Sequence, residues 1–191
     1  IAAALTMDYS GSMYYDSAAI PAMENAVKTF IGLKAVTDLC EVIKFDHNVQ
    51  VIQSFTADTT LLYNAVDDTV YTFHGSTAFF QACMTGVVDA DSAVINQINM
   101  LPAVIGFTDG RNNQPPMTPD TLINLSLQKQ VPVYTIGFGG TTSYQPDTAV
   151  LKLIADTTGG RFYWSPTPTT LQQLYQYVNG QLTNAIVIGF P

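Results

Sequence analysis

Positive charge is scarce in this sequence: 7 Lys and Arg stand against 15 Asp and Glu, a formal net charge of -8 over 191 residues. Such a chain repels phosphate backbones and anionic lipid headgroups, so nucleic acid and membrane surfaces are not expected partners. No apolar run approaches the roughly 20 residues needed to cross a bilayer, so no membrane insertion by this segment is expected. Two cysteines, Cys40 and Cys83, are too few for a disulfide scaffold or a structural zinc site, and two separate buried thiols are expected. The chain also lacks a Gly-x-Ser-x-Gly elbow, a P-loop and a Gly-x-Gly-x-x-Gly dinucleotide loop. It has no charged segment followed by an apolar leader. It starts at Ile1 and runs straight into an apolar stretch, and so reads as part of a longer protein.

What is present is apolar. Hydrophobic residues make up 47% of the chain and charged ones 12%, a globular balance with enough material for one sizeable core. No repeat or linker divides it, and residues 1–191 are expected to form one domain. Ile1 to Met7, Ala103 to Phe107 and Val131 to Phe138 are short, nearly continuous apolar runs, suited to strands buried on both faces of a parallel sheet. From Cys40 to Phe55 the apolar residues alternate with polar ones. Only Asp46, His47 and Asn48 interrupt them, which is right for a hairpin and too short for a parallel crossover.

The intervening segments read as helices. Ile20, Met23, Val27, Phe30 and Ile31 form one stripe, and Phe80, Met84, Val87, Asp91, Val94 and Ile98 a longer one. Helices are expected from about Pro119 to Lys129, over Thr148 to Thr157 before Gly159 and Gly160, and around Leu171 to Leu182. The fold expected is α/β: a three-layer Rossmann-like open sheet, mostly parallel with one antiparallel edge strand and helices on both faces. Residues Ala185 to Pro191 are left as an extra edge strand or an exit towards a neighbouring domain.

In such sheets, ligands collect beyond the carboxyl ends of the strands, where strand order reverses. Asp8 follows the first strand in Asp8-Tyr9-Ser10-Gly11-Ser12, and Asp109 follows a later one, where it is expected as a surface carboxylate. The loop His74-Gly75-Ser76-Thr77 adds hydroxyls ahead of the long helix. An Asp-x-Ser string is by itself no more than a helix cap with turn-forming neighbours.

Asp-x-Ser-x-Ser after the first strand, a Thr opening a later helix and an Asp after the fourth strand resemble the metal-ion-dependent adhesion site (MIDAS) of von Willebrand factor type A domains. Gly137, Leu153-Ile154-Ala155, Gly159-Gly160 and Arg161-Phe162-Tyr163 are similar to the later segments of that family. The resemblance implies that Asp8, Ser10, Ser12, Thr77 and Asp109 surround one divalent cation. Carboxylate and hydroxyl oxygens are hard ligands, which favours Mg²⁺, with Mn²⁺ or Ca²⁺ as alternatives. It further implies a protein partner whose Asp or Glu carboxylate completes the metal shell.

Around this set, Tyr14, Tyr15, His74, Arg111 and Asn112 are expected as a contact rim, since aromatic and Arg side chains concentrate binding energy. Phe79 is equally at home in the rim or the core, and His47, in the hairpin turn, is expected to be exposed. Ser10 and Ser12 have no base beside them in sequence, and a nucleophile needs one, so no enzyme activity is expected. The expected function is a cation-dependent adhesion or protein-binding module, extracellular or at a cell surface. A second class of the same family, a cytoplasmic metal-site subunit of an ATPase or chelatase-like assembly, remains the alternative.

Overall fold

The short apolar runs become the strands of one sheet, and the striped segments become the helices that cover it. The computed structural model describes residues 1–69, 75–95, 100–109, 112–138, 147–164, 173, 176 and 177. Along these residues the order is β1 (Ala2–Asp8), α1 (Gly11–Tyr15), α2 (Ala19–Leu33), β2 (Leu39–Phe45) and β3 (Val49–Thr56). Then come α3 (Thr59–Asp67), α4 (Phe79–Val94), β4 (Pro102–Thr108), α5 (Pro119–Lys129), β5 (Val133–Gly137), α6 (Thr148–Thr158) and β6 (Phe162–Trp164).

The sheet order is β3-β2-β1-β4-β5-β6. Every neighbouring pair is parallel except β2–β3, which is antiparallel. This is the expected α/β architecture. The chain leaves β1 towards β2 and β3, then returns to the other side of β1 to lay down β4. Strand order therefore reverses between β1 and β4, and the carboxyl ends of those two strands flank the natural ligand crevice.

Alternation along the strands divides the core into two layers. Ala3, Leu5 and Met7 face α2 and α3, where Met23, Phe30, Ile31, Leu62 and Val66 are buried. Ala4, Ile43 and Phe45 face α4, α5 and α6, where Phe79, Val87, Leu122 and Ile154 are buried. Each large apolar side chain removed from water contributes about 1.5–3 kcal/mol, so both helix layers are held mainly by this burial. Cys40 lies in the first layer and Cys83 in the second, both as free thiols. The sheet itself separates them. Burial pushes both thiols up to about 12, and they act as packing groups.

Local sequence explains the helix ends. Thr118 accepts from Thr121 N–H at the start of α5, Pro119 occupies the first turn, and Lys129 sits in the last. Asp147 caps α6, and Gly159, at φ 83°, closes it in the left-handed conformation that glycine adopts without strain. Three elements were not anticipated from the sequence: α1, α3 and β6. Helix α3 is capped by Asp58, which accepts from Thr60 and Leu61 N–H, but its stripe is only Leu62, Ala65 and Val66. Strand β6 has three residues, too few for a pattern. Of the expected last helix only residues 173, 176 and 177 are described, all helical. Ile98 and Ala185 to Pro191 lie outside the described residues.

Candidate metal centre

Strand β1 is buried along its whole length because it lies between β2 and β4 with helices on both faces. Its last residue, Asp8, therefore ends inside the protein, fully buried. Oδ1 of Asp8 accepts from Ser10 N–H at 2.8 Å, and Oδ2 accepts from the Thr108 hydroxyl at 2.5 Å. Burial, and next the nearby Asp109 carboxylate, push the Asp8 carboxyl up to about 7, with the Ser10 and Thr108 hydrogen bonds opposing. Asp109, one residue beyond β4, is also buried, which corrects the expectation of a surface carboxylate. The strand that carries it is packed on both sides, so its end is too.

Ser10 is the N-cap of α1, yet its side chain makes no capping hydrogen bond. Its hydroxyl instead lies 3.3 Å from that of Ser12. A plain helix-cap role for the Asp-x-Ser string is therefore not what this hydroxyl performs.

Thr77 is buried immediately before Ala78, the N-cap of α4. Its N–H donates to Asn113 Oδ1 at 2.6 Å, and its carbonyl accepts from Asn113 N–H at 3.1 Å. Asn112 Oδ1 accepts from Phe80 N–H at 3.1 Å, satisfying a first-turn donor that Ala78 has no side-chain acceptor for. Asn112, expected at the rim, thus seats α4 on the loop after β4. Ser76 and Gln114 are joined by their side chains across the same seam.

Of the other expected rim residues, Tyr14 and Tyr15 are 53% and 73% exposed, with ring centroids 5.9 Å apart edge to face. His74 and Arg111 lie outside the described residues. Phe79 is core, fully buried between Phe45 and Phe80.

Residues the sequence reading passed over hold the loops together. Phe45 carbonyl accepts from Tyr9 N–H at 2.7 Å, Asp46 carbonyl from Ala78 N–H at 2.7 Å, and Gly75 carbonyl from Gly11 N–H at 3.0 Å. The buried Asp46 carboxylate accepts from Gly75 N–H at 3.1 Å, Asn48 N–H at 2.8 Å and His47 Nδ1 at 2.7 Å. His47 is therefore bonded as well as partly exposed. The signal available in sequence was Asp46-His47-Asn48 in a hairpin turn, which turn chemistry alone explained. Beneath Tyr9, Lys44 lies 4.8 Å from the ring centroid, and the Tyr9 hydroxyl donates to Glu24 at 2.8 Å.

A model of the von Willebrand factor type A domain matches residues 4–177. The chain belongs to the von Willebrand factor type A family. No curated protein matches it in sequence. Among solved structures the domain is similar to an aerotolerance-related membrane protein from Bacteroides fragilis, with TM-score 0.79, 12% identity, and 95% of this chain covering 99% of that one. It is also similar to a von Willebrand factor type A protein from Catenulispora acidiphila, with TM-score 0.75, 20% identity, and 95% of this chain covering 42% of that one. A third is proximal thread matrix protein 1 of the mussel byssus with a zinc-occupied MIDAS motif: TM-score 0.73, 18% identity, and 93% of this chain covering 45% of that one. At these identities the likeness is one of fold, and this domain spans less than half of the latter two chains.

Type A domains are protein-interaction and adhesion modules, some with a metal site. Among the described residues of this domain no three His, Cys, Asp or Glu side chains come together as a metal-binding group. The set implied by the family is of another kind, two carboxylates with three hydroxyls. Among the same residues no helix is long and apolar enough to cross a membrane.

Proposed function

We propose that this type A domain is a divalent-cation-dependent protein-binding module. The observation that carries the reading is a pair of buried carboxyls, Asp8 and Asp109, at the ends of adjacent parallel strands. They lie close enough for one to raise the other, beside Ser10, whose hydroxyl makes no capping hydrogen bond and lies against that of Ser12. Burying like charges together is costly, and a 2+ ion between them offsets that cost. Asp8, Ser10, Ser12, Thr77 and Asp109 would hold the ion. The all-oxygen donor set favours Mg²⁺, Mn²⁺ or Ca²⁺ over soft metals.

Two carboxylates balance a divalent charge and leave no surplus anion in the set, so a bound ion would offer an exchangeable position to an Asp or Glu carboxylate of a partner protein. At physiological salt the Debye length is about 8 Å, so repulsion from the acidic surface is screened while a direct metal–oxygen bond is not. Tyr14 and Tyr15, exposed next to the Ser10–Ser12 turn, supply apolar contact area beside it. The low-Lys composition and the adhesion-type ligand set support an extracellular or cell-surface setting. We propose that the domain has no hydrolase activity of its own.

Thermal melts with and without chelator test the cation. A ligand held only by the folded state raises stability by RT ln(1 + [L]/Kd), so millimolar Mg²⁺, Mn²⁺, Ca²⁺ or Zn²⁺ should raise the melting temperature. No shift with any of the four ends the reading. A partner that binds equally well with Mg²⁺, with chelator and to Thr77→Ala would confine the metal to a structural role.

A further inference from the structure

We propose that Asp46, at the carboxyl end of β2, is a positioning residue that presets the two hydroxyl-bearing loops of the candidate cation site. The proposal rests on the cation reading above and deepens it. Asp46 is not itself in the implied ligand set, yet hydrogen bonds from both loops converge on it and its neighbour. Phe45 holds the first loop through Tyr9 N–H, and Asp46 holds the second at two points, its carbonyl taking Ala78 N–H and its carboxylate taking Gly75 N–H. These two points bracket Ser76 and Thr77. Gly75 then passes the constraint back to the first loop, since its carbonyl takes Gly11 N–H, and Gly11 lies between Ser10 and Ser12. One turn of β2–β3 thus fixes where three of the implied hydroxyl ligands stand.

The carboxylate is itself held rigid. It is buried and accepts three hydrogen bonds, from Gly75, Asn48 and His47. Because a carboxylate only accepts, His47 Nδ1 must be the donor, and Nε2 is then free to accept from Asn48 Nδ2 at 2.9 Å. The second loop is fitted to this arrangement without slack. A Cβ on Gly75 would stand 2.1 Å from His47 Nδ1 and 2.8 Å from Asp46 Oδ2, so only glycine brings its N–H onto the carboxylate. Groups behind the ligands of a metal site typically change affinity by about 10–100-fold when removed, which is the size of effect expected here.

The test uses the whole chain, with Mg²⁺ and Mn²⁺ as probes and two readouts. The substitution Asp46→Asn keeps the shape but replaces one acceptor oxygen by a donor, so Gly75 N–H, Asn48 N–H and His47 Nδ1 cannot all remain satisfied. Cation affinity should fall by about tenfold or more. In chelator, amide exchange at Gly11 and Gly75 should accelerate relative to strand amides of β1 and β4, an effect that a uniform loss of stability would not single out. Affinity within twofold of the native value, or unchanged relative exchange at those two amides, overturns the proposal. If the native protein binds neither cation, nor Ca²⁺ or Zn²⁺, the cation reading fails by itself, and the exchange pattern alone decides whether Asp46 sets the loops. Should Asp46→Asn not fold, Gly75→Ala replaces it. That change should weaken binding comparably and accelerate exchange at Gly11 relative to the same strand amides. A Gly75→Ala variant with affinity within twofold of the native value overturns the proposal as well.

Discussion

Two regions of this sheet bury an acid, and they do so differently. At the carboxyl end of β1, Asp8 accepts hydrogen bonds from Ser10 and Thr108 and has Asp109 as a like-charged neighbour. In the middle of β2, Glu41 is almost fully buried on the α4 side of the sheet, and its Oε2 has no hydrogen-bond partner. Burial, and then the charge of Asp89, push Glu41 from an ordinary 4.5 to about 8. A raised acid is therefore no mark of a binding site in itself. The difference lies in the surroundings. Asp8 sits at the strand-order reversal with oriented donors and hydroxyls around it, an environment that suits a charged carboxylate once a cation is present. Glu41 sits mid-strand with an orphaned oxygen, an environment that suits only the neutral acid.

The comparison breaks most visibly at Asp109. Asp109→Asn removes half of the anionic charge of the implied set, and cation affinity should fall on the order of 100-fold or more, followed as loss of the Mg²⁺-induced melting shift. The cation-free protein should melt within a few degrees of the native one, because the change also removes a like charge beside Asp8. A retained shift would move the site elsewhere.

Glu41 gives the next largest effect, and in stability rather than binding. Its folded state holds a proton that the unfolded chain releases above about 4.5, so the unfolded state gains relative to the folded one as pH rises. Stability should fall between about pH 4.5 and 8 and level off above that. Glu41→Gln should flatten this part of the curve and raise stability at pH 8 on the order of 1–3 kcal/mol, since each pH unit of difference is worth about 1.4 kcal/mol. Its cation affinity should stay within twofold. Urea denaturation across the pH range, with and without Mg²⁺, reads both.

The smallest effect sharpens the contrast by making Asp8 more like Glu41. Thr108→Val deletes the hydroxyl that donates to Asp8 Oδ2 while keeping its shape. The Asp8 carboxyl keeps its hydrogen bond from Ser10 N–H, so the loss should cost about 0.5–1.5 kcal/mol, the net worth of one hydrogen bond. For a domain of this size that lowers the melting temperature by about 2–4 °C per kcal/mol. An unchanged melting temperature would mean that this bond does not hold the Asp8 carboxyl in place.

The sequence by itself determined most of the architecture. Continuous apolar runs are legible as buried parallel strands, and the alternation around Asp46-His47-Asn48 is legible as the antiparallel hairpin, because side-chain periodicity is a local consequence of backbone geometry. The placement of Asp8 and Asp109 at the carboxyl ends of their strands followed from the same patterns. Short elements such as α3 and β6 did not show, since a few residues carry too little period to separate from chance. What only the tertiary structure decided is what each polar side chain bonds to. That Cys40 and Cys83 lie on opposite faces, that Phe79 is core, that Asn112 seats a helix and that Asp46 ties two distant loops depends on residues dozens of positions apart. A hydrogen bond is fixed by distance and angle to within a few tenths of an ångström, and no local pattern in a sequence carries that information.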